Sequence, residues 1–495
     1  MREIRKLLDS LTMYQLIEYG LFILIFISLV FSALGVLSTS FWGILFSVVL
    51  FIGIGGTVNV LIGKALGVAA TSQSGLITCL ILICIMPPTV DWKHALYNTL
   101  AVLFAIASKF VIARNMRHLF NPAGFGAACV TILGLSAATW WIGAQALFPF
   151  LLIFSVAIAV KLRHWRLIGT FVAISVITTV VVAVHDKFPV SGDLKILFLS
   201  SPLLFLGSVM LTEPTTLAVN KRWQLGYAAV VGILSAGHFK LGGTFISPIY
   251  ALLIGNVLSY TINPKRNYRL VLQQIEPLAN GLYRLRFKAN VPLGYQAGQY
   301  MEWTIPITGK FDQRGNRRTF SIASAPEDDE VVLGIRLPRE RASDFKKKLL
   351  DLKPGAIIQG SYVAGNFTLP SKPEGEQVLV AGGIGITPFL SMLRSEIASQ
   401  RGHKLSLYYL VRTPEDVFDT ETLRLAKAAG IAVNIVVSDP AEGVAKALEA
   451  GLINQHPGAT YYVSGAPPMV DAVKAALVAG GITRAHVKTD RFTGY

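Results

Sequence analysis

Charge is scarce in the first half of this chain. Of 495 residues, 45 are Lys or Arg and 29 are Asp or Glu. Up to Lys265 there are only 17 basic and 7 acidic residues, whereas the remainder holds 28 and 22. A soluble domain is usually about a quarter charged, so the first half is depleted and the second is ordinary. That split excludes a wholly soluble protein and a wholly membrane-embedded one. Cysteine is scarcer still: Cys79, Cys84 and Cys129 all lie in the apolar half. This excludes a disulfide-stapled secreted protein. It also excludes a cysteine-ligated iron–sulfur domain in the second half. Histidine is missing from the middle of the apolar runs. His94, His118, His164, His185 and His238 sit near their ends, so the facing pairs that would hold haem are lacking, and no metal site is expected. The net charge of +16 lies mostly in short loops between apolar runs, which is a membrane pattern and not a nucleic-acid-binding one.

A membrane span needs about 20 apolar residues. Ten stretches qualify as candidates: 19–36, 41–62, 66–86, 96–112, 122–135, 142–160, 167–184, 194–211, 225–238 and 245–261. The third, fifth and ninth are short or broken by glycine. Loop charge is an independent check. Alternate loops carry Arg2, Arg5 and Lys6, then Lys64, Arg114 and Arg117, Lys161, Arg163 and Arg166, Lys221 and Arg222, and finally Lys265, Arg266 and Arg269. The intervening loops offer only Lys93, Lys187, Lys195 and Lys240. With ten spans, this bias places both termini in the cytoplasm of a multi-pass inner (cytoplasmic) membrane protein. Six of the seven tryptophans lie near span ends, as an interfacial belt would.

Two stretches break the apolar pattern: residues 117–126 (RHLFNPAGFG) and 210–216 (MLTEPTT). An acid beside a proline at a span end is costly unless paired or solvated. Broken helices at membrane depth are tolerated where freed backbone groups line a site, and ordinary interfacial caps are the plainer reading. The run SGLITCLILICIMPP at 74–88, FNPAGFG at 120–126 and LTEPTT at 211–216 resemble, in order and spacing, the membrane flavin proteins of two complexes. These complexes are the sodium-pumping NADH:quinone reductase and the Rnf complex. The resemblance implies a ten-helix flavin carrier that passes electrons across the membrane. That family attaches FMN to a threonine within an Asp-containing Ser-Gly-Ala-Thr sequence. The nearest match, Ser136-Ala137-Ala138-Thr139, has Ala for Gly and no preceding Asp, which counts against covalent flavin at Thr139. The resemblance leaves FMN or riboflavin held without a covalent bond near Asn121, Thr212, Glu213 and Thr215.

After residue 264 the pattern changes. Short alternating stretches at 268–275, 281–288, 299–305, 319–323, 331–337 and 357–363 predict an antiparallel β-barrel. From 377 onward, strands at 377–381, 405–411, 432–437 and 460–463 alternate with helices at 390–399, 441–450 and 468–480. That predicts a small parallel sheet covered on both faces. The expected organisation is multidomain: a polytopic α-helical membrane domain of about ten spans (1–264), an antiparallel β-barrel flavin domain (265–370) and an α/β nucleotide-binding domain (371–495).

Four features sit on the second half. Arg318, Thr319, Phe320 and Ser321, followed by Ser324, place a cation, a flat ring and hydroxyls on one barrel strand. Arginine grips a diphosphate in a fork and phenylalanine covers a ring. Ser343 leads into a helix as a cap. Residues 381–388 (AGGIGITP) follow a strand and open a helix, the context in which glycines admit a pyrophosphate. Ser464, Gly465 and Met469 follow a strand at the carboxyl edge of the sheet, where open α/β folds bind ligands. In this order the four resemble the ferredoxin–NADP⁺ reductase family. The resemblance implies FAD on the barrel, held by Arg318, Phe320 and Ser321 with Phe in place of the family's Tyr. Ser343 is implied on the pyrophosphate side, and Gly383, Gly385, Thr387 and Pro388 in the nicotinamide-dinucleotide loop. Ser464 stands where the family usually has the Cys near the nicotinamide. Tyr495 fits by position a terminal aromatic that stacks on the flavin. Arg412 would pair with a 2′-phosphate, and Glu415 and Asp416 would favour a free ribose hydroxyl, so NADH versus NADPH stays open.

The expected function is a transmembrane electron-transfer flavoprotein. It oxidises cytoplasmic NAD(P)H through FAD and passes electrons through the membrane domain to a membrane or extracytoplasmic acceptor. Two alternatives stay open. One is a membrane-anchored reductase feeding quinone or a soluble redox partner on the cytoplasmic side. The other is a component of a redox-driven sodium or proton pump. The expected partners are the lipid bilayer, NAD(P)H and a flavin-carrying, quinone or other redox partner, with no nucleic acid.

Overall fold

The computed structural model describes residues 11–66, 72–114, 117–162, 164–218, 220–237, 239–241, 244–262, 267–305, 316–337, 343–439, 442–456 and 458–492. The chain divides into two compact units, Met1–Lys265 and Arg266–Tyr495.

The first unit is helical: α1 (Met13–Ala33), α2 (Phe41–Ala65), α3 (Ser72–Ile85), α4 (Trp92–Val111), a two-residue hairpin of β1 (Ala113–Arg114) and β2 (Arg117–His118), α5 (Pro122–Ile132), α6 (Phe148–Leu162), α7 (Trp165–His185), α8 (Val190–Leu199), α9 (Leu203–Met210), α10 (Lys221–Ala236), a second hairpin of β3 (Lys240–Leu241) and β4 (Thr244–Phe245), and α11 (Pro248–Ile262). Polar residues cap five of these helices, meeting their free N–H groups. Thr12 and Gln15 form a reciprocal capping box on α1, while Ser40, Asp91, Asn121 and Asn220 cap α2, α4, α5 and α10.

Every one of the ten apolar stretches holds helix, with two differences. The eighth stretch, read as one span, is α8 and α9 bent by 54° at their break. The last five residues of α9, Leu206–Met210, widen into a π-helix. Among the described residues, only five helices are long and apolar enough to cross a membrane, or six if the bent pair counts as one. At 1.5 Å per residue, the 14-residue α3 and 11-residue α5 fall short of a hydrocarbon layer of about 30 Å.

With the bent pair α8 and α9 counted as one, the helices pack as two repeats of five. In the first, α1 packs on α3, α2 on both α3 and α4, and α4 on α5. In the second, α6 packs on α9, α7 on both α8 and α10, and α10 on α11. Each repeat ends in helix, hairpin and a helix begun by proline. The repeats meet through α1 against α6 and α5 against α11. Asn98 and Tyr227 both occupy the seventh position of their helices, α4 and α10.

The second unit has two layers of a different kind. Strands β5 (Asn267–Pro277), β6 (Leu282–Ala289), β7 (Tyr300–Thr304), β8 (Arg317–Ser321), β9 (Glu330–Arg336) and β10 (Ile357–Ala364) form an antiparallel sheet in the order β8-β7-β10-β5-β6-β9. Ala323 N–H donates to Val332 O, which brings the end of β8 towards β9 and curls the sheet towards closure. Helix α12 (Asp344–Leu350) plugs it with Phe345 among Trp303, Phe287 and Leu333, all fully buried. Beyond β10 come β11 (Glu376–Gly382), α13 (Thr387–Ser399), β12 (Lys404–Val411), α14 (Thr420–Ala428), β13 (Ala432–Val437), α15 (Gly443–Glu449), β14 (Thr460–Gly465), α16 (Pro467–Ala479) and β15 (Val487–Arg491). These make a parallel five-stranded sheet in the order β13-β12-β11-β14-β15. The chain moves outward from β11 in one direction and returns to β14 on the other side. The topological switch point, where open sheets bind ligands, lies between β11 and β14.

Helices α4 and α5 touch through backbone. A Cβ built on Gly126 would lie 2.1 Å from Ala101 O. Gly126→Val therefore forces the pair apart, and we expect the purified protein in detergent to melt at least about 5 °C lower, read by scanning calorimetry.

Candidate active site

At the switch point two loops press together. Strand β11 ends at Gly382, Gly383 takes φ +53°, and a tight turn over Gly383–Ile386 delivers Thr387 and Pro388 into the first turn of α13. A Cβ on Gly385 would meet Ser464 O at 2.5 Å and Gly465 Cα at 2.6 Å. Gly465 itself has φ +152°, and Met469, in the first turn of α16, places its Cε between Gly382 and Gly465. The result is a shallow, glycine-lined shelf beside the start of a helix, the arrangement that lets backbone N–H groups approach an anion. The fully buried Ser464 hydroxyl has no hydrogen-bond partner among the described residues.

The barrel supplies the other wall. The Arg318 guanidinium lies 5.4 Å from the Phe345 ring centre and Phe320 packs 5.9 Å from the same ring. Thr319 is exposed and Ser321 buried. Ser343 caps α12 through Lys346 N–H. Ser324 is committed within the protein: its hydroxyl accepts from Val332 N–H, and its carbonyl accepts from Tyr295 and Ser391. Arg412 is exposed just past β12. Tyr495 lies outside the described residues.

In the helical unit, the residues singled out near the two apolar breaks come together. Asn121 Nδ2–H donates to Glu213 Oε2 at 2.9 Å, and Asn121 N–H donates to Asn256 Oδ1 on α11, also at 2.9 Å. Asn256 Nδ2–H donates in turn to Tyr227 OH. Thr215 donates to the other Glu213 oxygen at 2.8 Å. Thr212 is buried and donates to Ser208 O in the π-helical turn. The cluster straddles the seam where α5 meets α11. Thr139 is exposed in the segment after α5, with its N–H on Ile85 O at the end of α3. It does not join the cluster.

Comparison with known proteins bears on the second unit. The family model "Oxidoreductase NAD-binding domain" matches residues 379–475. The chain is 31% identical over 247 residues to the reductase component of propane 2-monooxygenase from Mycolicibacterium goodii, covering 46% of this chain and 69% of that protein. It is 29% identical over 242 residues to the ferredoxin–NAD(P)⁺ reductase component of naphthalene 1,2-dioxygenase/salicylate 5-hydroxylase systems from Ralstonia sp., covering 47% and 70%. The C-terminal half of the chain belongs to the ferredoxin–NADP⁺ reductase-like oxidoreductases. Among solved structures, a cytochrome P450 reductase of Amycolatopsis aligns at 25% identity and TM-score 0.40, over 46% of this chain and 70% of that one.

FAD and NAD(P)H are the cofactors of this reductase half, and its residues fit them. Among the described residues a Gly383 Cβ would come no closer than 3.9 Å to another group, so the turn leaves its backbone open to a ligand, and the buried Ser464 hydroxyl offers a polar group nearby. Arg336 was not singled out from the sequence. It ends β9, lies within 3.9 Å of where a Gly383 Cβ would stand, and is held by the buried Asp416 at 3.1 Å. Its signal was faint, an arginine closing an apolar strand. Lys346 is also buried, donating to Arg336 O; burial and the neighbouring Arg318 hold its ammonium down to about 8. Asp490 was missed because β15 was not foreseen in the sequence. Strand register sets it beside Ser464, and Phe492 N–H donates to Gly465 O.

Two outcomes follow from this geometry. Gly385→Val wedges the two loops apart, so the KM for NAD(P)H should rise at least about tenfold in steady-state assays while FAD content, fixed by the barrel, stays. Burial pushes the Asp490 carboxyl up to about 6, so the folded state holds this proton more tightly than the unfolded chain. Stability from this group is therefore present at low pH and lost as pH rises from the ordinary carboxylate range through about 6. Asp490→Asn should raise the melting temperature relative to wild type at pH 7, the gap closing towards about pH 4.

Proposed function

We propose that this protein is a transmembrane electron-transfer flavoprotein of the inner (cytoplasmic) membrane. The reductase half oxidises NAD(P)H in the cytoplasm, and the helical unit carries the electrons towards an acceptor in or beyond the membrane. One observation carries this reading: the reductase half is fused to a helical unit whose buried polar cluster lies on the seam between its two repeats. The basic residues of alternate loops support a cytoplasmic reductase half. If all ten segments span, five helices per repeat is an odd number, so successive repeats run in opposite directions, an architecture whose sites lie at the repeat interface.

Bound FAD would supply the chemistry of hydride acceptance from the nicotinamide and of single-electron release. The residues of the chain bind and orient. The Gly383–Thr387 turn would hold the dinucleotide pyrophosphate with Arg336 beside it. Arg318 would grip the FAD diphosphate, with Phe320 against the ring system. Ser464 and Asp490 would flank the place where nicotinamide enters, with the Phe492 backbone bonded to Gly465 beside them. In the helical unit, Asn121, Thr212, Glu213 and Thr215 would line the seat of FMN or riboflavin held without a covalent bond. The exposed Thr139 lies apart from it.

Proteoliposomes with a trapped impermeant acceptor such as ferricyanide test the reading. Added NADH should reduce the trapped acceptor, and Glu213→Gln should slow this by about tenfold or more, the scale of losing a charged hydrogen-bond acceptor. Reduction of external acceptor alone would leave a reductase whose helical unit is only an anchor.

A further inference from the structure

The adenosine end of the dinucleotide site carries more negative than positive charge among the described residues. A dinucleotide whose pyrophosphate rests on the Gly383–Thr387 turn and whose nicotinamide end lies towards β14 runs its adenosine across the carboxyl ends of β12 and β13. The sheet order β13-β12-β11-β14 leaves no other direction along this edge.

Three charged residues stand there, all exposed: Arg412 just past β12, Glu415 in the following turn, and Asp439 just past β13. Val411 pairs with Val437, and Ser438 N–H donates to Val411 O. The ladder thus runs one residue beyond the strands and sets Arg412 beside Ser438, next to Asp439. Asp416 would have made a third exposed acid. It turns inward instead, to Arg336 at 3.1 Å and Asn280 at 3.2 Å, and is only 3% exposed. Its turn is pinned by Asp416 N–H to Thr413 O and by the Tyr409 hydroxyl to Asp416 O. With Asp416 turned inward, Glu415 faces outward, its carboxylate held below the usual range by the Thr413 hydroxyl. The Asp439 carbonyl takes the N–H groups of Glu442 and Gly443, which holds Asp439 to the start of α15.

We infer that this edge selects NADH over NADPH, with Asp439 and Glu415 accepting the adenosine ribose hydroxyls. A dianionic 2′-phosphate would meet two carboxylates and one guanidinium along this edge, and like charges repel. A ribose hydroxyl instead donates to a carboxylate, which a phosphate cannot do. This assignment rests on the reductase reading.

The test uses the full-length protein in detergent, with initial rates for NADH and NADPH against ferricyanide, and calorimetric binding of 5′-ADP and 2′,5′-ADP. Wild type should favour NADH in kcat/KM by about a hundredfold and bind 5′-ADP more tightly, the scale of two charged hydrogen bonds. Asp439→Asn should shrink that preference about tenfold, and Asp439→Arg should take it further by supplying a cation. Should Asp439→Arg fail to fold, Glu415→Gln carries the same expectation. Equal or better use of NADPH by wild type, or an NADH/NADPH ratio unmoved in Asp439→Asn and Glu415→Gln, would overturn the assignment while leaving the reductase intact. Oxidation of neither nucleotide would overturn the reductase reading and the assignment with it.

Discussion

The nucleotide sheet depends on backbone meeting backbone. Gly385 and Gly465 approach so closely that neither loop can carry a side chain at the contact. That approach is what a switch point demands, because the loops after β11 and β14 leave the sheet in opposite directions and must share one small space. The other features arrange themselves around it. Met469 packs between Gly382 and Gly465, and Ser464 is buried at the floor. Phe492 closes the edge through Gly465 O. Arg336 is brought to the turn from the barrel by Asp416, and this pair joins others, the more buried Arg284–Asp419 among them, in tying the flavin layer to the nucleotide layer. Breaking such a pair by removing one partner is costly, because it strands the other charge.

Much of the reductase half was legible in the sequence. The six barrel strands and four of the five parallel strands show their period, and the glycine-rich turn sits after a strand as its chemistry requires. The losses have physical causes. Strand β15 (Val487–Arg491) reads VKTDR, too polar to show alternation, because it is an edge strand paired on one side only. Asp490 was lost with it. Helix α14 is short and amphipathic among loops. Ser324 looked like a ligand because serine after an Arg-x-Phe-Ser element suggests one. Its burial and three hydrogen bonds, which join the barrel to α13, were not legible. Glu415 and Asp416 are adjacent and chemically alike, and only the turn pinned by Tyr409 separates their roles.

The helical unit was legible in composition more than in architecture. Hydropathy finds apolar stretches but is blind to a bend: α8 and α9 read as one run although they cross at 54°. It is equally blind to the repeat, because the two halves share packing and not residues. At equivalent places, helix α4 offers Asn98 and α10 offers Tyr227. Asn98 donates to Pro87 O, in the break after α3. Tyr227 accepts from Asn256, which holds the Asn121 N–H, and Asn121 in turn donates to Glu213 in the break after α9. The fold keeps a polar hand at each break and changes what it holds.

That difference gives the repeat a direction. After α3 the chain runs Met86-Pro87-Pro88, and Asn98 satisfies a freed carbonyl there. After α9 it runs Thr212-Glu213-Pro214, and three donors converge on a carboxylate: Asn121, Thr215 and Thr216. A buried carboxylate costs far more than a buried carbonyl unless its lone pairs are met. Meeting them here takes residues from both repeats, since Asn121 begins α5 and is itself held by Asn256 of α11. A plain anchor needs no acid at its seam, and a satisfied carbonyl would serve it as well as it serves the first repeat. The acid therefore marks one end of the helical unit as chemically distinct from the other. Under the proposed topology that end is the cytoplasmic one, the side on which the reductase half would deliver its electrons.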